Sequence, residues 1–186
     1  MKKLLVVVDM QNDFITGSLG NKDCEAIVPN VAKKIRDAVA DDYDVVFTMD
    51  THNQDYLKTQ EGQKLPVQHC IDGSNGWFLE LSIENELHKA ILGSDFEGTV
   101  YDSDACFRKS TFGCVDLGVF VKYNHYDVVT LVGVCTDICV ISNAMLIKAF
   151  APEVDIEVDS FCCAGVSLES HERALEAMKS CQIDII

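Results

Sequence analysis

Short hydrophobic runs of strand length alternate with segments of helical periodicity along this chain, and this alternation restricts the fold more than any other feature. Runs rich in Val, Ile and Leu predict six strands, at 3–9, 44–50, 98–104, 127–134, 154–159 and 182–186. Helical patterns lie between them, amphipathic over 27–40 and 169–181 and apolar nearly all round over 114–123 and 137–150. We therefore predict an α/β fold, a doubly wound, mainly parallel six-stranded sheet with helices on both faces.

Length and composition indicate one domain. The chain has 186 residues, of which 48% are hydrophobic, enough for a substantial core but not for two domains of ordinary size. We expect a single domain over 1–186. Only 51–80 has no clear period, and we interpret this polar, Gly-containing stretch as a long functional loop.

Charge and hydropathy exclude several classes of partner. Asp and Glu total 30 against 15 Lys and Arg, a net charge of −15, which would repel nucleic-acid phosphates and anionic membranes. The first apolar run stops at Asp9, too early for a secretory signal, and no apolar stretch approaches the ~20 residues of a membrane span. We expect a cytoplasmic protein that binds neither nucleic acid nor membrane. Nine cysteines, an odd number lying partly in apolar segments, favour reduced thiols over disulfides.

Reactive side chains follow the predicted strands. In parallel sheets of this kind, ligands bind beyond the carboxyl ends of the strands, near the point where strand order reverses. The residues there are Asp9 and Phe14, Asp50 and His52, Lys109, and the segment GVCTDICV at 133–140. These side chains are expected to converge at one edge of the sheet.

The cysteine pair in GVCTDICV allows three interpretations. A metal clip would need a second matching pair, which the sequence lacks, and burial as inert core would be ordinary for free cysteine. The third interpretation is a nucleophile. Thr136 and Asp137 are residue types that cap helices, so Cys139 is expected in the first helical turn, where backbone N–H groups favour a thiolate.

Asp9 and Lys109 could serve that nucleophile or could be ordinary surface residues. A semi-buried carboxylate in VVVDMQNDF could exchange a proton with a neighbouring thiol, although Asp is also common in turns. Lys109 would lower the pKa of the thiol if it lay nearby, although lysines are usually solvated. Together with Cys139 they would form an activated nucleophile.

Five motifs in order carry a family resemblance: VVVDMQNDF, TMDTH, LPVQHCIDGSNGW, Lys109 before STFG, and GVCTDICV. Together they resemble the isochorismatase-like cysteine hydrolases and, among these, the nicotinamidases. The resemblance implies that Cys139 is the nucleophile and that Asp9 and Lys109 complete its triad. It also implies an oxyanion hole of the Cys135 and Cys139 N–H groups, and a cis peptide between Val134 and Cys135.

A second group of residues suggests a metal site. Asp50 and His52 are two apart at a strand end and so share a face, and His69 follows the loop. Three such ligands with open positions fit one divalent ion, zinc first, with iron and manganese as alternatives. The nicotinamidase resemblance implies a fourth ligand, for which Glu61 is the candidate.

The aromatic residues match the resemblance less well. The single tryptophan, Trp77, follows His69, whereas many nicotinamidases have one just before this turn, where this chain has Leu65. Phe14 is the candidate for contact with a substrate ring, although a lone aromatic residue is often simply core. The three other histidines, at 88, 125 and 171, receive no role.

These features together predict hydrolysis of nicotinamide to nicotinate and ammonia through a Cys139 thioester, a reaction of NAD salvage. The resemblance also suggests a homo-oligomer. The main alternative is a related hydrolase acting on another small amide or ureido compound. A thiol-based redox or metal-binding module, and a catalytically inactive protein on the same fold, are further alternatives, the last disfavoured because every triad position holds a usable residue.

Overall fold

A six-stranded parallel sheet forms the centre of the protein in the computed structural model, which describes residues 1–94 and 96–186. The strands lie in the order β3-β2-β1-β4-β5-β6, and all five neighbouring pairs are parallel. Their bounds are β1 Lys3–Val8, β2 Tyr43–Asp50, β3 Cys106–Lys109, β4 Val128–Val134, β5 Asp155–Ala164 and β6 Asp184–Ile185. The predicted fold class is therefore confirmed.

Helices cover both faces of this sheet. They are α1 Asn12–Ile15, α2 Lys22–Ala40, α3 Gln60–Lys64, α4 Leu81–Ile91, α5 Val115–Asn124, α6 Ile141–Phe150 and α7 Leu168–Ser180. Short 3₁₀ turns lie at Tyr56–Lys58 and Val100–Asp102, and a π-helical turn at Thr136–Val140 precedes α6. None of the helices in the described part of the chain has the length and apolar character that crossing a bilayer requires.

Two hydrophobic layers, one on each face of the sheet, form the core. Side chains alternate along β1, so Leu5 and Val7 join the layer with α2 and α4, whereas Leu4 and Val6 join the layer with α5, α6 and α7. Both faces of β1 are therefore buried, which explains its uninterrupted apolar sequence.

Local sequence sets the start of the longer helices. The Asn21 side chain accepts the Cys24 N–H at 2.9 Å and caps α2. Ser167 and Ser170 form a reciprocal capping box at α7, and Glu80 accepts the Ser82 and Ile83 N–H groups at α4. These caps satisfy backbone donors that would otherwise lack partners.

Two of the local predictions were wrong. The third strand is 106–109 and not 98–104, where the polar side chains of Thr99 and Ser103 instead bond to the local backbone of a 3₁₀ turn. The region 51–80, expected to be a loop, contains α3 and a further helical turn, and helix α4 was not predicted. The predicted helix 137–150 is confirmed, with its first turn π-helical and the remainder forming α6.

The strand order places four strand ends side by side. Chain connections leave β1 toward β2 on one side, and the later strands continue from β4 on the other, so the order reverses between β1 and β4. A crevice forms at such a reversal, beyond the carboxyl ends of the strands. The residues after β1, at the ends of β2 and β3, and after β4 therefore meet there.

Gly133 supports this edge through its backbone geometry. Its φ is +117°, and a Cβ atom there would lie 2.1 Å from the Val8 carbonyl oxygen.

We expect Gly133→Ala to lower the free energy of unfolding by more than about 3 kcal/mol, because it adds strain and a backbone clash. Gly73, with φ +72° and no atom within 4 Å of such a Cβ, is the matched control, and Gly73→Ala should cost about 1–2 kcal/mol. Urea unfolding would measure both, and equal losses would contradict the role assigned to Gly133.

Candidate active site

A buried lysine joins the residues at the carboxyl edge of the sheet. The Lys109 Nζ lies 2.7 Å from Asp9 Oδ2, 3.5 Å from Cys139 Sγ and 3.6 Å from Asp50 Oδ1. Only 5% of Lys109 is exposed. The structure thus brings together the three residues that the sequence suggested as a triad, and connects them to the suggested metal ligands.

Asp9 is held in an unusual conformation directly after β1. Its φ is +48°, in the left-handed region that a non-glycine residue rarely adopts. The carboxylate is fully buried, with Oδ1 accepting the Thr48 hydroxyl at 2.7 Å and Oδ2 facing Lys109. Such a residue persists only where its surroundings determine its geometry, as at functional sites.

The charges in this cluster shift one another's pKa. Burial raises the pKa of Asp9, and the negative charge of Asp50 adds to this, although Lys109 opposes both. Burial lowers the pKa of Lys109, but Asp9, Cys139 and Asp50 outweigh it, so its pKa lies above the ordinary value and the ammonium stays charged. Asp9 is thus a buried carboxyl group poised to gain and release a proton.

Cys139 lies in the π-helical turn after β4 and is 6% exposed. The expectation of a lowered pKa was wrong. Burial raises the pKa of the Cys139 thiol well above its ordinary value, and the charge of Asp9 raises it further, while Lys109 lowers it by less. These surroundings favour the neutral thiol over the thiolate.

The backbone around Cys139 is shaped by contacts that the sequence did not reveal. The Val134–Cys135 peptide is cis, as the resemblance implied. Among the described residues, 1–94 and 96–186, no acceptor takes the Cys135 N–H. Asn143, fully buried in α6, donates to the Cys139 carbonyl at 2.8 Å and accepts the Cys114 N–H at 2.9 Å.

Thr136 and Asp137 do not cap the helix, contrary to the expectation. The Thr136 hydroxyl is 2.8 Å from His171 Nδ1, and Asp137 Oδ1 accepts the Val166 N–H at 3.0 Å. Cys135 occupies the N-cap position, without a capping side chain. These two side chains, which would cap an isolated helix, therefore interact instead with residues that are distant in the chain.

The suggested metal ligands form a second cluster beside the first. Ligand atoms of Asp50, His52 and His69 all lie within 4.8 Å of one another, and all three residues are buried. Glu61 Oε1 completes the group, 3.7 Å from His52 Nε2 and 3.8 Å from His69 Nε2. All four candidate ligands therefore converge.

Backbone pairing brings these ligands together from distant positions. The His52 N–H donates to the Cys70 carbonyl at 2.9 Å, which returns the loop to the end of β2 next to His69. Gln11 then holds Asp50 on the other side: its amide donates to the Asp50 carbonyl and its oxygen accepts the Asp50 N–H, both at 2.8 Å. Gln11 was missed as a site residue, although it lies in the VVVDMQNDF motif and is a fully buried polar side chain.

The histidine nitrogen atoms gather around one carboxylate oxygen. His69 Nδ1 is 2.9 Å from the Val67 carbonyl, which can only accept, so Nδ1 carries a hydrogen, and His69 Nε2 lies 3.3 Å from Asp50 Oδ2. His52 Nε2 is buried 2.9 Å from the same oxygen. Burial lowers the pKa of His69, but Asp50 and the Val67 bond outweigh it, so its pKa lies above the ordinary value. Two imidazole nitrogens beside one carboxylate form a set of atoms of the kind that binds a metal ion, and the Val67 bond would support His69 from outside.

The metal cluster also holds its carboxylate ionised. Burial raises the pKa of Asp50, but the close contacts with His52 and His69 and the charge of Lys109 outweigh it, so its pKa falls below the ordinary value. Tyr56 packs against both imidazoles, with ring centroids 4.6 and 4.9 Å away. An ionised Asp50 is the form that binds a divalent ion.

A small cavity opens onto both clusters. This inner cavity has a volume of about 190 Å³ and lies between Cys139 and the metal cluster. Its lining residues are Phe14, Leu19, Asp50, Glu61, Leu65, His69, Phe112, Cys135, Ile138, Cys139 and Val166. Pockets for drug-sized ligands begin at about 300 Å³, so this one suits a small molecule.

The two aromatic residues considered for contact with a substrate ring, Phe14 and Trp77, lie in different surroundings. Phe14 lines the inner cavity, with its ring centroid 5.5 Å from that of His69. Trp77 does not line it; the indole donates to the Thr51 hydroxyl at 2.9 Å and packs on Tyr101. Trp77 is therefore a support for the loop after β2.

Comparisons with known proteins agree with this geometry. The sequence-family model for the isochorismatase domain matches residues 3–186 of this chain. Nicotinamidase/pyrazinamidase of Mycobacterium tuberculosis is 25% identical over 190 residues, covering 99% of this chain and 98% of the relative. Pyrazinamidase/nicotinamidase of Streptococcus mutans superposes with a TM-score of 0.81 at 27% identity over the full length of both chains. Pyrazinamidase of Pyrococcus horikoshii, solved in complex with zinc, has a TM-score of 0.77 at 25% identity, covering 100% of this chain and 99% of that one.

The class of protein follows from these observations. A thiol, a buried carboxyl group and a lysine meet beside a small cavity, a combination of side chains that is typical of cysteine hydrolases. The chain belongs to the isochorismatase family and is a nicotinamidase-like hydrolase acting on amide C–N bonds.

The charge balance around Cys139 makes a prediction about its thiol. In metal-stripped Asp9→Asn, loss of the negative charge beside Cys139 should lower the pKa of the thiol, since Asp50 then remains as the carboxylate beside Lys109 that opposes its charge. Alkylation of Cys139 by iodoacetamide at pH 7 should become several-fold faster than in the unaltered protein. Mass spectrometry would measure the rate, with distant Cys181 as the internal control, and an unchanged or slower rate at Cys139 would contradict this charge balance.

Proposed function

We propose that this chain hydrolyses nicotinamide to nicotinate and ammonia through a thioester on Cys139, aided by one divalent metal ion. The observation that carries the proposal is the position of the Lys109 ammonium, in contact with Asp9, Cys139 and Asp50 at once. That contact sets a nucleophile directly beside a candidate metal site, around a cavity of the size of a small aromatic amide.

Residues 1–186 would act as a single hydrolase domain, since one sheet contains strands from β1 to β6. Reaction in the cytoplasm and a place in NAD salvage follow from the proposed substrate. Zinc is the first choice of metal because a pyrazinamidase neighbour was solved with zinc, and because two imidazoles with two carboxylates suit that ion. Iron and manganese would also accept this ligand set.

Asp50, His52, His69 and Glu61 would hold the ion. When bound, the ion supplies a Lewis acid that can hold a ring nitrogen and so orient the amide. The apolar lining of the inner cavity would accept the faces of the ring, with Phe14 packing against it. The carboxamide would then face Cys139.

In the first half of the reaction, Asp9 accepts the thiol proton of Cys139 as sulfur attacks the amide carbon. The oxygen becomes negative and is bound by the N–H groups of Cys135 and Cys139. The C–N bond then breaks while Asp9 returns its proton to the leaving nitrogen, which departs as ammonia. Because burial raises the pKa of Asp9, its carboxylate accepts the thiol proton more readily than an exposed carboxylate would, and it holds that proton until the nitrogen leaves.

In the second half, water attacks the thioester and Asp9 accepts its proton. The C–S bond breaks, the proton on Asp9 returns to the Cys139 sulfur, and the product leaves as nicotinate after giving the second proton of the water to ammonia or solvent. Lys109 keeps its charge throughout, and thereby stabilises whichever of Asp9 and Cys139 is negative. The residues thus end each cycle in their starting protonation states.

The decisive experiment measures ammonia released from nicotinamide by the purified protein, before and after chelation and after metal restoration. We expect release that disappears with chelator and returns with zinc, iron or manganese. Absence of release from folded, metal-loaded protein would remove nicotinamide as the substrate and direct the search to other small amides and ureido compounds.

Two variants serve as controls in the same assay. Cys139→Ala should abolish release and retain bound metal, because the sulfur is the nucleophile and lies outside the metal cluster. His69→Ala should lose most of the metal, measured by elemental analysis of dialysed protein, while His88→Ala should keep it. Turnover by Cys139→Ala would contradict the thioester.

A further inference from the structure

A second, larger cavity adjoins the inner cavity. This outer groove has a volume of about 550 Å³ and is bounded by the loop 51–65 and by residues 110–112 and 138. Glu61, Leu65, Phe112 and Ile138 line both spaces, so they form the boundary between them. These four side chains therefore lie between the groove and the part of the inner cavity that contains Cys139.

The boundary is open rather than packed. Leu65 is 37% exposed and Phe112 45% exposed, so neither side chain is a buried plug. The metal cluster itself spans the boundary: His52 lines the outer groove, Asp50 and His69 line the inner cavity, and Glu61 lines both. A molecule bound in the inner cavity can thus extend past Leu65 and Phe112 into the groove.

The two spaces differ in chemistry. Phe14, Leu19 and Val166 give the inner cavity apolar walls suited to an aromatic ring. The groove has apolar side chains too, but it also presents Gln60, Ser110 and Thr111, whose polar atoms make no hydrogen bond within the described residues; the hydroxyls of Thr51 and Thr59 and the Asn53 oxygen already bond to neighbouring groups. These groups donate and accept hydrogen bonds without net charge, and the charges of Lys64 and Glu61 oppose each other.

We propose that the outer groove is a second substrate subsite, which binds a neutral, hydrogen-bonding substituent on an aromatic ring whose carboxamide occupies the inner cavity. This inference rests on the proposed function. Its consequence is a wider substrate class than the unsubstituted ring: heteroaromatic amides that carry a hydroxyl- or amide-bearing extension. The extension would reach the groove polar groups while the carboxamide stays beside Cys139.

The test compares kcat/KM for nicotinamide with kcat/KM for nicotinamides that carry a hydroxymethyl or hydroxyethyl group at each free ring carbon in turn. At least one extended amide should be hydrolysed within about tenfold of nicotinamide. Gln60→Trp, which fills the groove, should lower kcat/KM for that amide by about tenfold or more and change nicotinamide turnover less than about twofold.

Gln63→Trp is the matched control. Gln63 is exposed on the same helix α3 but lines neither space, so both substrates should be unaffected. Hydrolysis of nicotinamide with no extended amide accepted would overturn the subsite and leave the proposed function intact. An equal loss for both substrates in Gln60→Trp would also overturn it. Failure of nicotinamide itself in the metal-loaded protein would instead count against the proposed function.

A separate observation concerns the turn that carries Cys139. The Thr136 hydroxyl is fully buried, and the polar contact it makes is to His171 Nδ1 on α7 at 2.8 Å. The same side of the turn is packed closely: a Cβ atom at Gly165 would lie 2.8 Å from Asp137 Oδ1 and 3.0 Å from His171 Cβ. Helix α7 and the loop that precedes it thus pack closely against the turn that carries Cys139.

We infer that His171 is a positioning residue, which acts through Thr136 to hold the 136–140 turn and hence the Cys139 sulfur. The turn is π-helical, with the Val140 N–H bonded to the Cys135 carbonyl at 3.0 Å, and single π-helical turns are frequent at functional sites. A small displacement of a nucleophile can cost up to about 100-fold in rate. The histidine reaches the reaction only through the turn, since it does not line the inner cavity.

His171→Ala should lower kcat for nicotinamide about tenfold or more while KM stays within about twofold, because the cavity is unchanged and only the sulfur shifts. His171→Asn, whose amide can occupy the Nδ1 position, should restore most of kcat. His88→Ala on α4 is the control for removing an imidazole. A lowered Tm for His171→Ala with kcat unchanged, or no rescue by Asn, would show a purely structural histidine and overturn the inference.

Discussion

The buried ammonium of Lys109 is the interaction on which the rest of the site depends. A cation with 5% exposure is costly unless negative partners surround it, and here Asp9 lies at 2.7 Å and Asp50 at 3.6 Å. The same charge faces the Cys139 sulfur at 3.5 Å. One residue therefore makes two buried carboxylates tolerable and stabilises negative charge on the sulfur. Removing it would leave like charges facing one another.

The parallel sheet makes this arrangement possible. Asp9 follows β1, Lys109 ends β3 and Cys139 follows β4, and these strand ends meet because parallel strands present their carboxyl ends at one edge. Asp50 at the end of β2 belongs to the metal cluster and also contacts Lys109. Cys139 and the metal cluster are thus linked through the charge of Lys109, and both border the same small cavity.

The surroundings of Cys139 oppose a thiolate. Burial and the charge of Asp9 raise the pKa of the Cys139 thiol above its ordinary value, and Lys109 lowers it by less. Sequence reasoning inferred a lowered pKa from a position at a helix N-terminus and from the charge of Lys109. It could not include desolvation, which depends on every chain segment packed over the sulfur. The same limit applies to Thr136 and Asp137, whose partners lie 29 or more positions away in the chain.

The sequence by itself determined the alternation of strands and helices, the parallel sheet, and the residue types at the strand ends, because these follow from local periodicity and from the rule that ligands bind at carboxyl edges. It also indicated Glu61 as a fourth ligand by resemblance. Only the tertiary structure decided that β3 is 106–109, that α4 covers one face, that Gln11 and Asn143 bond to the backbone of Asp50 and Cys139, and that His171 contacts Thr136. Those features depend on contacts between residues far apart in the chain, and hydrogen bonds of this kind leave no period in the sequence.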